Sequence, residues 1–282
     1  MKPVSLRPII GPELREQFEE FGRRMREWNA ELNESFTQIA EGFQRIQKAF
    51  PEDIRVLSQN GWFISFWHTP ITGLTPVAHL FSNGDAEQGH EAMCRHFSDV
   101  LDGVEEDLVK RNPRRAEILT KAFRAHRDQD YELSVPVFLA QADGIASEML
   151  GVSVYTRHSS KRKKMAEAIE QLDPKGLEDP MLRLVIGDLP ITASTTSEEY
   201  SDKSLNRHAI IHGIDVSYGT KLNSYRALSW LQYASYFEEA ARWSERRSNK
   251  VEQGVAPQSA TRSESNSEGD AKPQPETEVR SR

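Results

Sequence analysis

Between Gly11-Pro12 and Pro51, apolar residues fall at Leu14, Phe18, Phe21, Met25, Trp28, Leu32, Phe36, Ile39, Phe43, Ile46 and Phe50. The steps alternate three and four, with one extra step of four from Leu32 to Phe36. That is a heptad pattern carrying a single stutter. Proline suits the first position of a helix and Pro51 suits its end, so the pattern predicts one helix of about 55 Å at 1.5 Å per residue. Its aromatic content is unusual for a two-stranded coiled coil, and tertiary packing is the usual source of helix stability. The stripe is therefore expected to lie on the chain's own body, with self-association as the alternative.

Beyond Pro51 the pattern changes. Gly61-Trp62-Phe63-Ile64-Ser65-Phe66-Trp67 is apolar and aromatic, while Thr69-Pro70 and Ser82-Asn83-Gly84-Asp85 mark turns. A strand here has no clear partner, so a packed connector is expected. From Asp85 the periodicity is helical over about 85–111, 113–128 and 131–150, the last stopping at Gly151. Val137, Phe138, Ala140, Ile145 and Met149 give that third segment an apolar face. Shorter helices are expected from Lys161 to Leu172 and from Leu177 to Ile186, and Thr192 to Asp202 reads as a polar loop or helix lead-in. Thr220 then stands as N-cap of a strong amphipathic helix to about Arg247, with Leu222, Tyr225, Leu228, Leu231 and Tyr236 among its apolar positions. No strand ladder emerges, and the expected class is all-α. The chain divides into a long helix over 1–50, a connector and helix over 51–112, a helical bundle over 113–247 and a tail over 248–282. The tail has almost no large apolar residue and is expected to be disordered.

Composition narrows the function classes. At 282 residues there is ample length for a core. A net charge of -7 excludes a polycation, so any nucleic-acid contact must come from local basic patches. One cysteine, Cys94, leaves no internal disulfide framework and fits a reducing compartment. No apolar run approaches the ~20 residues that span a bilayer, and the first residues lack the apolar stretch of a signal peptide. The expectation is a cytoplasmic protein without membrane contact.

The densest chemistry lies in Arg207-His208-Ala209-Ile210-Ile211-His212, followed by Gly213. A permanent cation and a residue type that titrates near neutrality are what metal-free cleavage of a phosphodiester requires. Residues five apart on one α-helix point about 140° apart, so Arg207 and His212 do not meet on one face. A helix break, a groove or a second copy of the motif must bring them together. His208 and His212, four apart, do share a face. Zinc needs a third ligand, none stands close in sequence, and no metal is expected. His90-Glu91-Ala92-Met93-Cys94 is spelled like a metalloprotease helix with cysteine replacing the second histidine, and it reads as a core or surface cluster. No glycine-rich phosphate loop appears, so no cofactor is expected. The plain alternative for the motif is a helix end, with His212 in the last turn and Gly213 closing it.

An arginine, a polar residue, a short apolar stretch and a histidine form the signature of the HEPN superfamily, and this sequence resembles it. The wider run Leu205 to Gly213, with Tyr218-Gly219-Thr220, Asn223-Ser224 and Gln141-Ala142-Asp143-Gly144-Ile145, is similar to a set of bacterial proteins found partly on mobile elements. The resemblance covers about residues 113–245, and histidine after the arginine departs from the usual asparagine or aspartate. It implies a four- or five-helix bundle that dimerises with two motifs facing each other. It also implies a metal-independent endoribonuclease, acting in phage defence or as a toxin, with Arg207, His212 and His208 as catalytic residues. An imidazole would move the proton of a ribose 2′-hydroxyl or protonate the leaving 5′-oxygen, and the guanidinium would hold the phosphate. Asp143 or Glu148 would orient Arg207 by an ion pair if that helix lies alongside.

Arg157, Lys161, Arg162, Lys163 and Lys164 form a compact basic cluster suited to an RNA backbone. Lys110, Arg111, Arg114, Arg115, Lys121, Arg124 and Arg127 form a second basic stretch. Either is also what a solvated helix face looks like. The competing function is a non-catalytic helical module that binds RNA or protein, with the phenylalanine-rich N-terminal helix as its contact.

Overall fold

The computed structural model describes residues 12–195 and 204–252, and every regular element among them is helical. In chain order these are α1 (Pro12–Gln59), α2 (Leu74–Ser82), α3 (Ala86–Asp99), α4 (Leu101–Arg111), α5 (Ala116–Arg127), α6 (Tyr131–Leu150), α7 (Ser159–Gln171), α8 (Glu178–Arg183), α9 (Arg207–Ile211) and α10 (Lys221–Glu252). The fold is all-α. Among the described residues, those up to Ser244 form one compact unit and those from Glu245 another. No described helix is long and apolar enough to cross a membrane.

Two expectations for α1 are corrected. It does not stop at Pro51 but continues to Gln59. Proline removes one backbone donor and crowds the carbonyl four residues back. Here that carbonyl belongs to Gln47, which is exposed, while Phe50, Ile54 and Leu57 on either side of Pro51 are fully buried. Burial of that face outweighs the lost hydrogen bond. The second correction concerns packing. Along the stretch from Glu20 to Ala49 the stripe does not lie on the body: Phe21, Trp28, Phe36, Ile39 and Phe43 are all more than half exposed. The side chains of Leu14 and Phe18 lie outside the described residues.

The core begins at Phe50 and runs to Ala240. Its centre is α10, buried without interruption from Ser224 to Phe237 rather than on one face only. A helix covered all round belongs in the middle of a protein. Its serines are accommodated by local bonding: Ser235 donates to the carbonyl of Gln232, and Ser229 donates to that of Arg226 while accepting from the Phe63 amide. Thr220 caps its start, accepting from the Asn223 amide at 3.1 Å.

The aromatic connector packs against this helix. Gly61, at φ 82, turns the chain out of α1, and Trp62, Phe63 and Ile64 go straight into the core. Phe63 meets Trp230 edge-on at 4.5 Å. The connector also contains α2, whose Pro76 is tolerated because first-turn amides have no helical acceptor. The expected helix over 85–111 is two helices separated by Val100 (φ -101, ψ 3). The helices expected from Lys161, from Leu177 and over 131–150 are present, and Gly151 closes α6 at φ 68. Most of the polar run before Ser204 lies outside the described residues. So does the tail from 253, while α10 extends to Glu252.

Candidate functional site

The site is built on α9, five residues long and capped at both ends. Asn206, buried, supplies the first cap: its Oδ1 accepts from the Ala209 amide at 2.9 Å. Its Nδ2 donates to the carbonyls of Pro190 (2.9 Å) and Ala193 (3.0 Å), tying the helix start to the preceding turn. At the far end Gly213 adopts φ 69. Its amide bonds the Ile210 carbonyl at 3.1 Å, and the Ile214 amide bonds that of Ala209 at 2.8 Å. These two bonds are the Schellman closure, and only glycine enters its left-handed position without cost. Ala209 and Ile210 are buried and seat the helix, which turns His212 into solvent and leaves Arg207 and His208 half-exposed.

The geometry pairs the histidines. The rings of His208 and His212 lie 4.4 Å apart between centroids, inclined by 52°. Among the described residues no hydrogen bond, ion pair or ring contact joins Arg207 to His212. The guanidinium instead sits over the ring of Tyr155, with Cζ 5.0 Å from the centroid. A cation over an aromatic face is held electrostatically while its N–H groups stay available at the edges.

Tyr155 is itself fixed from two sides. Its hydroxyl donates to the Leu139 carbonyl at 3.0 Å and accepts from Trp230 Nε1 at 2.8 Å. Burial, helped by the nearby Asp143 charge, pushes its phenol far above the usual range, so it stays protonated. Asp143 does not reach Arg207 by an ion pair. It accepts from Ser153 Oγ (2.7 Å), the Val154 amide (3.0 Å) and Ser147 Oγ (3.3 Å), fixing the turn that presents Tyr155. Glu148 is engaged elsewhere, with Arg115 at 2.5 Å, and Arg115 also donates to Gln141.

The basic cluster adjoins this platform, because Arg157 follows Tyr155 by two residues and α7 starts at Ser159. Arg157, Lys161, Lys163 and Lys164 are exposed. Arg162 is not part of that surface: it is half-buried and donates to Asp188 (2.8 Å) and to the Ile186 carbonyl. The second basic stretch is divided: Lys110, Arg114, Lys121 and Arg124 are exposed, and the other three are engaged. Arg111 lies over Trp67, Arg115 is engaged as above, and Arg127 bridges Asp102 and Glu105.

Two other histidines are interior. His90 accepts from Trp62 Nε1 at 3.0 Å and faces Arg226, and burial followed by that positive charge pushes it down to about 4. Burial likewise pushes His126 down to about 4, with Ser224 Oγ 2.7 Å from its Nδ1. Burial raises the Cys94 thiol. Among the described residues no three His, Cys, Asp or Glu side chains gather as metal ligands.

Asn206, Tyr155 and Trp230 were not among the candidates read from sequence. Asparagine directly before a short helical run is an N-cap signal that a closer reading would find. Tyr155 carries no such signal, since its contact with Arg207 joins segments 52 positions apart. Compared with family models, with curated proteins and with solved structures, the chain matches none.

Proposed function

We propose that this protein is a metal-independent endoribonuclease of the HEPN type, with a role in phage defence or as a toxin. The observation that carries the reading is the side-chain set of α9. Its arginine stacks on Tyr155, its two imidazoles lie side by side, and the lysine-rich α7 begins four residues after Tyr155 in the chain. In the proposed reaction one imidazole takes the proton of the ribose 2′-hydroxyl as its oxygen attacks phosphorus. The bond from phosphorus to the 5′-oxygen breaks, and the second imidazole protonates that oxygen, leaving a 2′,3′-cyclic phosphate and a 5′-hydroxyl. Arg207 offers paired donors to the phosphate oxygens as charge builds on them. His208 and His212 lie on one face as an acid–base pair, and a second copy of the motif would complete the arginine's reach to the same phosphate.

The test is incubation of the purified protein with mixed RNA in EDTA, beside His212→Ala and Arg207→Ala. Cleavage with cyclic-phosphate ends is expected for the wild type, with a loss of about 100-fold or more in each variant, the scale for an acid–base group at His212 and for a charge-stabilising donor at Arg207. Intact RNA with the wild type would sink the proposal. A second reading, a non-catalytic binding module, is favoured by the capping of α9, which accounts for Gly213 and the placement of His212 without chemistry.

A further inference from the structure

The apolar stripe of α1 is the largest feature the proposed reaction does not use. From Phe21 to Phe43 it presents Phe21 (61% exposed), Met25 (38%), Trp28 (54%), Phe36 (64%), Ile39 (68%) and Phe43 (55%) on one side of an arm. Leu32 and Ile46 complete the line, and the same face enters the core at Phe50, Ile54 and Leu57. Soluble monomers rarely leave a contiguous apolar patch of more than a few hundred Å² in water. We propose that this stripe pairs with the same stripe of a second copy, in parallel and in register, as a two-stranded coiled coil.

Three observations select that occupant. First, the three–four spacing is the repeat by which two identical helices interlock side chains, and the step of four from Leu32 to Phe36 locally straightens the supercoil without moving the seam. Second, the area suffices. With aromatic side chains burying about 150–250 Å² each, the six exposed residues remove roughly 600–700 Å² per chain. Two copies reach the roughly 1,200 Å² at which specific interfaces begin. Third, the flanks permit it. In the parallel register the positions that face across the seam are Arg24 with Asn29, Ser35 with Ala40, and Gly42 with Gln47, none a pair of like charges. Gly22, Ala40, Gly42 and Ala49 border the seam and leave room for phenylalanine and tryptophan. The outer face mixes Glu27, Glu34 and Glu41 with Arg23, Arg26, Arg45 and Lys48, which disfavours an anionic membrane surface as the occupant.

The inference does not rest on the ribonuclease reading: its readout needs no RNA, and the stripe variants and the Ile39→Cys cross-link report pairing through α1 rather than through two α9 motifs. The experiment uses the full chain in sedimentation equilibrium at micromolar concentration. The wild type is expected at twice the mass of one chain. Trp28→Asp with Phe36→Asp and Phe43→Asp is expected at the mass of one chain, with an unchanged near-ultraviolet spectrum from the buried Trp62 and Trp230. Phe36→Leu with Phe43→Leu is expected to remain a dimer. Ile39→Cys, in a Cys94→Ser background, is expected to cross-link on oxidation, because a parallel pair in register sets that position against itself, whereas an antiparallel pair overlapping the stripe from Phe21 to Phe43 centres on Leu32. A monomeric wild type overturns the proposal and leaves the stripe to another protein. A triple variant that stays dimeric overturns it too, and an Ile39→Cys dimer whose introduced thiols do not join overturns the parallel register.

Discussion

His126 shows how far burial can change what a residue type does. A histidine at the end of α5 in the sequence looks like a favourable cation near a helix C-terminus. In the fold its ring lies against Tyr225 at 4.5 Å and faces Ser224, and it is held down to about 4. The unfolded chain takes up this proton near 6.5, before the folded one does. Stability from His126 is therefore complete above about pH 6.5 and is lost as pH falls toward 4, by up to about 3 kcal/mol. Urea unfolding at pH 7 and pH 5 is expected to show this fall, with His90 adding to it in the same direction, and His126→Leu is expected to reduce it by about half. Arg207 is the converse case. Its sequence position is plain, but the partner that holds it is Tyr155, and the carboxylate expected beside it acts one step away through the turn at Ser153 and Val154.

At the scale of elements, α9 is too short to stand alone, since a single turn orders several residues for few hydrogen bonds. Its caps decide whether it exists. Asn206 satisfies one amide of α9 and two carbonyls of the preceding turn, all buried. Asn206→Ala is expected to cost about 2–3 kcal/mol in urea unfolding, combining a lost cap with unpaired polar groups. If α9 carries the chemistry, cleavage by the remaining folded protein falls as well. The helices legible in the sequence were those with clear periodicity and clear stops, such as α6 ending at Gly151 and α7 before Asp173-Pro174. Those misread were α2, hidden in an aromatic connector, and the continuation of α1 through Pro51. Both rest on burial against distant segments, which a local pattern does not contain.

For the whole molecule the charge of -7 sets a constraint on any RNA contact. Long-range attraction is absent, so binding has to come from local basic patches, and the exposed lysines at the start of α7 form one of them. Lys161→Glu with Lys163→Glu and Lys164→Glu is expected to weaken RNA binding and to flatten its dependence on log salt by about two to three units, read by titration at several salt concentrations. Unfolding stability should move by less than about 0.5 kcal/mol, because these side chains are exposed. Arg162 belongs to a different class. Its replacement loosens the contact between α7 and the Ile186–Asp188 turn and acts on stability first.

The order of residues by itself determined the all-α class, the long first helix, the start of α10 and the shared face of His208 and His212. Each follows from periodicity or capping within a few residues, and such rules are local. Only the tertiary structure decided which of those faces are covered. It buried α10 on every side from Ser224 to Phe237, left the stripe of α1 in water, set Arg207 on Tyr155 and withdrew Arg162 from the basic surface. Burial and pairing depend on segments that meet across the fold, and no spacing along the chain records who meets whom.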